Sequence, residues 1–210
     1  MRLLNRLPRG LYAITRGSDP TRAVAAAIDG GARVIQYRDK TRDAGRRLAE
    51  ATALARLCEQ RNVPLLINDD IDLAHAVGAT GVHLGRDDHT PGQARQRLGE
   101  SAIIGASCYN RIDLAEQAVA AGVDYIAFGR FFPSRSKPDA VPATLDLLRE
   151  ARRRFRVPIV AIGGITPENG AELITAGADC LAVIDAVFGQ PDIRAAAQRF
   201  QTLFTRSPTA

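Results

Sequence analysis

Eight short apolar runs, each followed by an amphipathic stretch with its own start and stop signals and no linker between them, predict an α/β protein: a single-domain (β/α)8 TIM barrel spanning residues 1–210. The runs are residues 10–15, 33–38, 64–68, 81–85, 102–107, 125–129, 158–163 and 180–184. They are continuous rather than alternating and rich in Val, Ile and Leu, as parallel strands buried on both faces should be. The amphipathic stretches are residues 20–29, 44–60, 71–77, 91–98, 111–121, 143–154, 167–176 and 193–203. Asp19-Pro20, Thr90-Pro91 and Thr166-Pro167 each place a capping residue before a Pro at the first helical position. Gly30-Gly31, Gly78-Ala79, Gly122-Val123 and Gly177-Ala178 supply the glycine that ends a helix. The competing architecture, an open doubly wound sheet, would use fewer strands and a Gly-rich first turn, and Ile14-Thr15-Arg16-Gly17-Ser18 has no GxGxxG. Residues 1–9 and 205–210 are expected to be flexible ends.

Composition narrows the function. With 46% hydrophobic and 24% charged residues, the chain reads as an ordinary globular protein. No apolar run approaches the length of a membrane span, and the N-terminus has charges without the apolar region of a secretory signal, so a cytoplasmic protein is expected. The three cysteines are odd in number and far apart, which fits neither a disulfide framework nor a CxxC metal site. The net charge of +5 is dispersed, and its densest run, Arg152-Arg153-Arg154, closes an amphipathic helix where the dipole favours it. With only 5% aromatics and no stacking motif, nucleic acid is not an expected partner. Of the 28 basic residues just two are lysines, Lys40 and Lys137, and both lie in polar stretches directly after apolar runs. A lysine kept against such a bias points to a place where a compact ammonium serves and a planar guanidinium does not.

In a barrel the loops after the strands converge on one mouth, so polar residues there are the functional candidates. In order they are Gln36, Arg38 and Lys40; Asn68, Asp69 and Asp70; Asp87 and Asp88; Ser107; Arg130 with Ser134, Ser136 and Lys137; Gly163 and Gly164; and Asp185. Cations, clustered carboxylates, hydroxyls and a glycine pair are the parts needed to bind phosphates with a divalent metal. Asp69 and Asp88 follow adjacent strands and can reach one point, which suits Mg2+ completed by water and substrate phosphate. Asp70 is expected to cap the next helix and Asp87 to lie in a solvated turn. Gly163-Gly164-Ile165-Thr166-Pro167 ends the seventh run, where barrels often bind phosphate through backbone N–H groups. His75, His83 and His89 form no metal triad, and His83, inside a strand, reads as a satisfied structural imidazole. No Ser/His/Asp or Cys/His arrangement follows from spacing, which disfavours covalent hydrolysis.

Taken together, the segments Gly10-Leu11-Tyr12-Ala13-Ile14-Thr15, Gln36-Tyr37-Arg38-Asp39-Lys40, Ile67-Asn68-Asp69-Asp70, Gly81-Val82-His83-Leu84-Gly85, Ile104-Gly105-Ala106-Ser107, Phe132-Pro133-Ser134-Arg135-Ser136-Lys137-Pro138 and Ala161-Ile162-Gly163-Gly164-Ile165 resemble the thiamine phosphate synthase family over nearly the whole chain. That family joins a hydroxymethylpyrimidine diphosphate to a thiazole phosphate and releases pyrophosphate with Mg2+ present. The resemblance implies that Gln36, Tyr37, Arg38, Asp39, Lys40, Asn68 and Ser107 hold the pyrimidine diphosphate, with Lys137 also on its diphosphate. Arg38, Lys40 and Lys137 would act on the leaving group, and Asp69 and Asp88 would bind Mg2+. Ser134, Arg135, Ser136 and Gly164 would hold the thiazole phosphate, helped by the backbone near Ile184 and Asp185. The implied partners are small phosphorylated substrates, with room for a homo-oligomer. The chain departs from the family pattern in having Ser134 and Ser136 where Thr is common, Tyr109 where a His often stands, and Asp185 where a Ser is common. Two other readings are a barrel that isomerises the thiazole phosphate, against which stands Arg130 where such an enzyme would place a His, and a phosphate-binding barrel without turnover.

Overall fold

The computed structural model describes residues 7–17, 20–86, 88–133 and 141–206. Strands β1 (Gly10–Ile14), β2 (Ala32–Tyr37), β3 (Leu65–Asn68), β4 (Gly81–Leu84), β5 (Ile103–Tyr109), β6 (Tyr125–Gly129), β7 (Ile159–Ile162) and β8 (Cys180–Val183) pair in sequence order, all parallel, and β8 returns to β1 to close the barrel. Between and after them lie α1 (Pro20–Asp29), α2 (Ala44–Gln60), α3 (Ile71–Ala76), α4 (Pro91–Leu98), α5 (Ile112–Ala120), α6 (Leu145–Arg154), α7 (Gly170–Thr175), α8 (Asp185–Phe188) and α9 (Ile193–Arg206). No helix among the described residues is long and apolar enough to cross a membrane.

Local chemistry accounts for most boundaries. Thr90 accepts from the backbone N–H of Gln93 while the Gln93 side chain reaches back to Thr90, a capping box ahead of Pro91. Asp70 caps α3 by accepting from the Leu73 N–H at 2.8 Å. Thr166-Pro167, by contrast, does not open a helix. The Thr166 N–H donates to the Asn169 side chain and the Gly170 N–H to the Thr166 carbonyl, so residues 166–169 close a turn of their own and α7 starts at Gly170. Strand β5 runs two residues further than its apolar pattern, past an irregularity that puts Tyr109 at φ 56°. The short α8 is announced by no apolar periodicity.

Two apolar layers result. Side chains alternate across each strand, so Leu11, Ile35, Ile67, Ile126 and Leu181 pack outward against the helices while Tyr12, Val34, Leu66, Tyr125, Val160 and Cys180 fill the barrel. Leu7, just ahead of β1, joins the inner layer at 3% exposure, and Arg9 stacks on the Phe204 ring of α9. Leu7 and Arg9, expected within a flexible end, are thus packed on the barrel, and α9 runs on to Arg206. At the end opposite the mouth, Asp124 accepts from the Ile104 N–H at 2.8 Å and from Arg95 at 2.6 Å. Asp179 does the same with the Ile159 N–H and Arg152, at 2.8 and 2.9 Å.

Candidate active site

The strand ends open into two adjoining cavities that share Asn68. The first, of about 510 Å3, is lined by inward residues including Gln36, Arg38, His83, Ser107, Gly164, Ile184 and Asp185. The second, more open and about 860 Å3, is lined by Asp39, Lys40, Arg47, Asp69, Asp70 and Asp88 with their neighbours.

The second cavity holds the carboxylates. Asp69 sits at φ 63°, its N–H bonded to the His83 carbonyl at the end of the adjacent strand, and this left-handed turn brings its side chain back toward the loop after β4. Asp88 accepts from the Gly85 N–H at 2.7 Å. The Asp69 carboxyl is pushed up to about 6, first by burial and then by hydrogen-bond and charge contact with Asp88, against the lowering effect of Asn68 and Arg38. A Cβ at Gly85 would lie 2.7 Å from an Asp88 oxygen and 4.0 Å from an Asp69 oxygen, so glycine leaves the space between them open. Two hard oxygen donors crowded together, with the charged form of Asp69 disfavoured, fit a divalent cation that would offset that cost. Among the described residues no cluster of three or more His, Cys, Asp or Glu side chains forms, so such an ion would complete its shell with water and substrate.

Around this pair the expected residues divide. Lys40 is exposed at the second cavity, and Arg38 is half-buried at the first, close enough to Asp69 to lower its carboxyl. Asp39 lines the second cavity but spends its oxygens on its own loop, accepting from Thr41 and Arg46. Tyr37 stands apart from the others. Lying one residue after the inward Gln36, its side chain faces α2, where its hydroxyl donates to Glu50 at 2.8 Å, and it reaches neither cavity. Asp70 caps α3 and holds Arg47 at 2.7 Å. Ser134, Arg135, Ser136 and Lys137 lie outside the described residues, as does Asp87.

At the first cavity, Gly163 and Gly164 have φ of 105° and 65°, and a Cβ on either would strike the 130–133 segment, at 2.3 Å from Arg130 Cβ or 2.4 Å from the Pro133 carbonyl. The pair therefore seats the loop after β6 as well as lining the cavity. Asp185 does not point a bare carboxylate at this space, because Arg16 holds it at 2.6 Å. The floor is a chain of polar side chains: Gln36 donates to Tyr12 at 3.0 Å, Tyr12 meets Tyr125 at 2.9 Å, Tyr125 meets His83 Nδ1 at 2.8 Å, and His83 Nε2 meets Ser107 at 2.9 Å. Both tyrosines are fully buried, and burial holds their hydroxyls protonated well above the usual range. Tyr12, Arg16, His83 and Tyr125 were not among the expected site residues. Except for Arg16, which is exposed beyond the strand, they could have been found by extending the inward parity of Gln36 to every strand.

Comparison with known proteins gives this mouth its chemistry. The family model for thiamine monophosphate synthase matches residues 11–187. The chain belongs to the thiamine monophosphate synthase family. It is accordingly a transferase of thiamine biosynthesis. Thiamine-phosphate synthase from Nitrosospira multiformis is 53% identical over 201 residues, covering 94% of this chain and 86% of the relative. The Thiobacillus denitrificans thiamine-phosphate synthase is 50% identical over 205 residues, covering 96% and 97%. Among solved structures, thiamine phosphate pyrophosphorylase from Pyrococcus furiosus superposes with a TM-score of 0.87 at 33% identity, covering 97% of this chain and 98% of that one.

Proposed function

We propose that this synthase condenses 4-amino-2-methyl-5-hydroxymethylpyrimidine diphosphate with a thiazole phosphate to give thiamine phosphate and pyrophosphate, with carbon dioxide also released where the thiazole is carboxylated, by a dissociative displacement assisted by Mg2+ in the cytoplasm. The observation that carries the reading is the adjacency of two unlike spaces: a carboxylate-lined cavity for a metal and diphosphate, and a narrower, less open cavity with a polar floor for a heteroaromatic ring, with Asn68 lining both. The bond between the pyrimidine's exocyclic methylene and the diphosphate oxygen breaks, pyrophosphate leaves with the electron pair, and the thiazole nitrogen supplies the pair for the new C–N bond. No general base is required, in keeping with a mouth built of cations and hydrogen-bond groups.

Asp69 and Asp88 would hold Mg2+, which supplies compensating charge for the departing pyrophosphate. Arg38 and Lys40 flank the carboxylates and place positive charge where negative charge develops. Gln36, Asn68 and Ser107 orient the pyrimidine, and the Gly164, Ile184 and Asp185 wall receives the thiazole phosphate, so the two reactants meet in line. Incubating the protein with both substrates, with Mg2+ or with EDTA, tests this directly. Stoichiometric pyrophosphate and thiamine phosphate, lost with EDTA and restored by Mg2+, are expected. Product without pyrophosphate, or turnover indifferent to EDTA, overturns the reading.

A further inference from the structure

The floor of the first cavity has a direction. Gln36 is oriented with its Nε2 donating to the Tyr12 hydroxyl, and among the described residues that hydroxyl has one other partner, Tyr125. Tyr12 therefore passes its own proton to the Tyr125 oxygen, and Tyr125 passes its proton to His83 Nδ1. A neutral imidazole that accepts at one nitrogen donates at the other. His83 thus carries its proton on Nε2 and donates to the Ser107 oxygen. Ser107 is left with its hydroxyl proton to offer, and Gln36 with its amide oxygen.

We propose that Tyr12, Tyr125 and His83 are positioning residues whose continuous hydrogen-bond chain fixes opposite polarity at its two ends, an acceptor at Gln36 and a donor at Ser107, and so selects an aminopyrimidine over the corresponding oxopyrimidine. The proposal rests on the pyrimidine reading above and adds the source of its selectivity. An amino group donates to the Gln36 oxygen, and an unprotonated ring nitrogen accepts from Ser107. An oxo ring presents a carbonyl to the Gln36 oxygen, which has no proton to give, while its ring N–H can still donate to the remaining lone pair of Ser107, so the discrimination falls at the Gln36 end. To accept it, every proton in the chain would have to move to the opposite partner and the Gln36 amide would have to turn over.

The surroundings hold the chain in one arrangement. Tyr12 and Tyr125 are 1% and 0% exposed and pack edge to face, and the His83 ring stacks on Tyr125 with centroids 5.6 Å apart. Gly105 leaves the space Tyr125 occupies, since a Cβ there would lie 1.9 Å from the ring. At the buried Tyr12–Tyr125 link each hydroxyl has the other and one further chain member as its partners among the described residues, so polarity set at one end is passed to the other.

The test compares kcat/KM for the 4-amino and 4-oxo pyrimidine diphosphates in the wild type, Tyr125→Phe and Tyr12→Phe. A site built around a substrate donor rejects the analogue by about 1,000-fold or more. Each variant should cut that ratio at least about tenfold while leaving KM for the thiazole phosphate within about twofold, because cutting the chain lets each half choose its own polarity. The double variant should lose no more than the worse single one, since one chain is cut either way. A merely structural role would lower both rates together and leave the ratio unchanged. Ratios within about twofold of the wild type in both variants overturn the proposal while leaving the synthase reading intact. A wild type that makes no thiamine phosphate overturns both. Independently of the variants, 15N spectra of the wild type should show the His83 proton on Nε2, and a proton on Nδ1 overturns the stated direction.

Discussion

The guanidinium of Arg16 lies 2.6 Å from the carboxylate of Asp185, tying the loop after β1 to the first residue of α8 at the rim of the first cavity. A carboxylate beside an anion site is repulsive when bare, and this one is offset by the cation that holds it. Both side chains are about half exposed, at 56% and 40%, so each electrostatic effect is modest.

Asp185→Ser should therefore lower KM for the thiazole phosphate by about two- to fivefold at low salt, because it removes the repulsion and frees Arg16 for the phosphate. Arg16→Ala should raise it by a similar factor. Both differences should shrink at about 0.3 M salt as exposed charges are screened. Steady-state kinetics at two ionic strengths decide it, and an Asp185→Ser enzyme with raised KM contradicts the placement.

At the opposite end, Asp124 and Arg95 are 9% and 12% exposed, against 30% and 35% for Asp179 and Arg152. Asp124→Ala leaves the buried Arg95 guanidinium with backbone carbonyls and no countercharge from Asp124, takes the partner from the Ile104 N–H, and should cost about 3–5 kcal/mol in urea unfolding. Asp179→Ala, with solvent nearby, should cost about 1–2 kcal/mol. In the folded enzyme kcat should be unchanged for both, since neither residue lines either cavity.

Cys58, Cys108 and Cys180 are buried, and burial pushes each thiol up to about 12. None should react with a thiol-specific disulfide reagent at pH 8 until denaturant is added. In the unfolded chain the same thiols ionise from about pH 8.5, so above that pH the native state binds more protons than the unfolded one. Stability should accordingly fall as pH rises through 9 and 10, approaching about 1.4 kcal/mol per pH unit for each thiol, with no such loss between pH 6 and 8.

Gly105→Ala should destabilise by about 1–3 kcal/mol, because the new methyl and the Tyr125 ring cannot share one position. Urea unfolding measures the loss, and an unchanged midpoint would show that the ring is free to move.

Legibility in the sequence followed the physics of each feature. The eight strands, the Thr90 box and the Asp70 cap were visible because apolar runs and capping side chains act over a few residues. Asp69 and Asp88 were nameable from adjacent strand ends, whereas their mutual crowding depends on the left-handed turn at Asp69, which no propensity announces. The outward direction of the Tyr37 side chain was hidden because a polar run after a strand looks uniform until parity sends alternate side chains to opposite faces. Arg16 and Asp185 stand at the two ends of the chain, and only barrel closure makes them neighbours.

That closure bears on how the molecule is made. β1 leaves a ribosome ahead of the other seven strands, yet one of its two partners is β8, Cys180–Val183, and α9 behind it packs on both α1 and β1. Until β8 emerges the nascent barrel carries an unpaired parallel edge at β1 and another at its newest strand, surfaces that other chains can pair with. The barrel closes only once β8 and α9 have emerged, so the interval before that closure is when the chain depends most on dilution and chaperones.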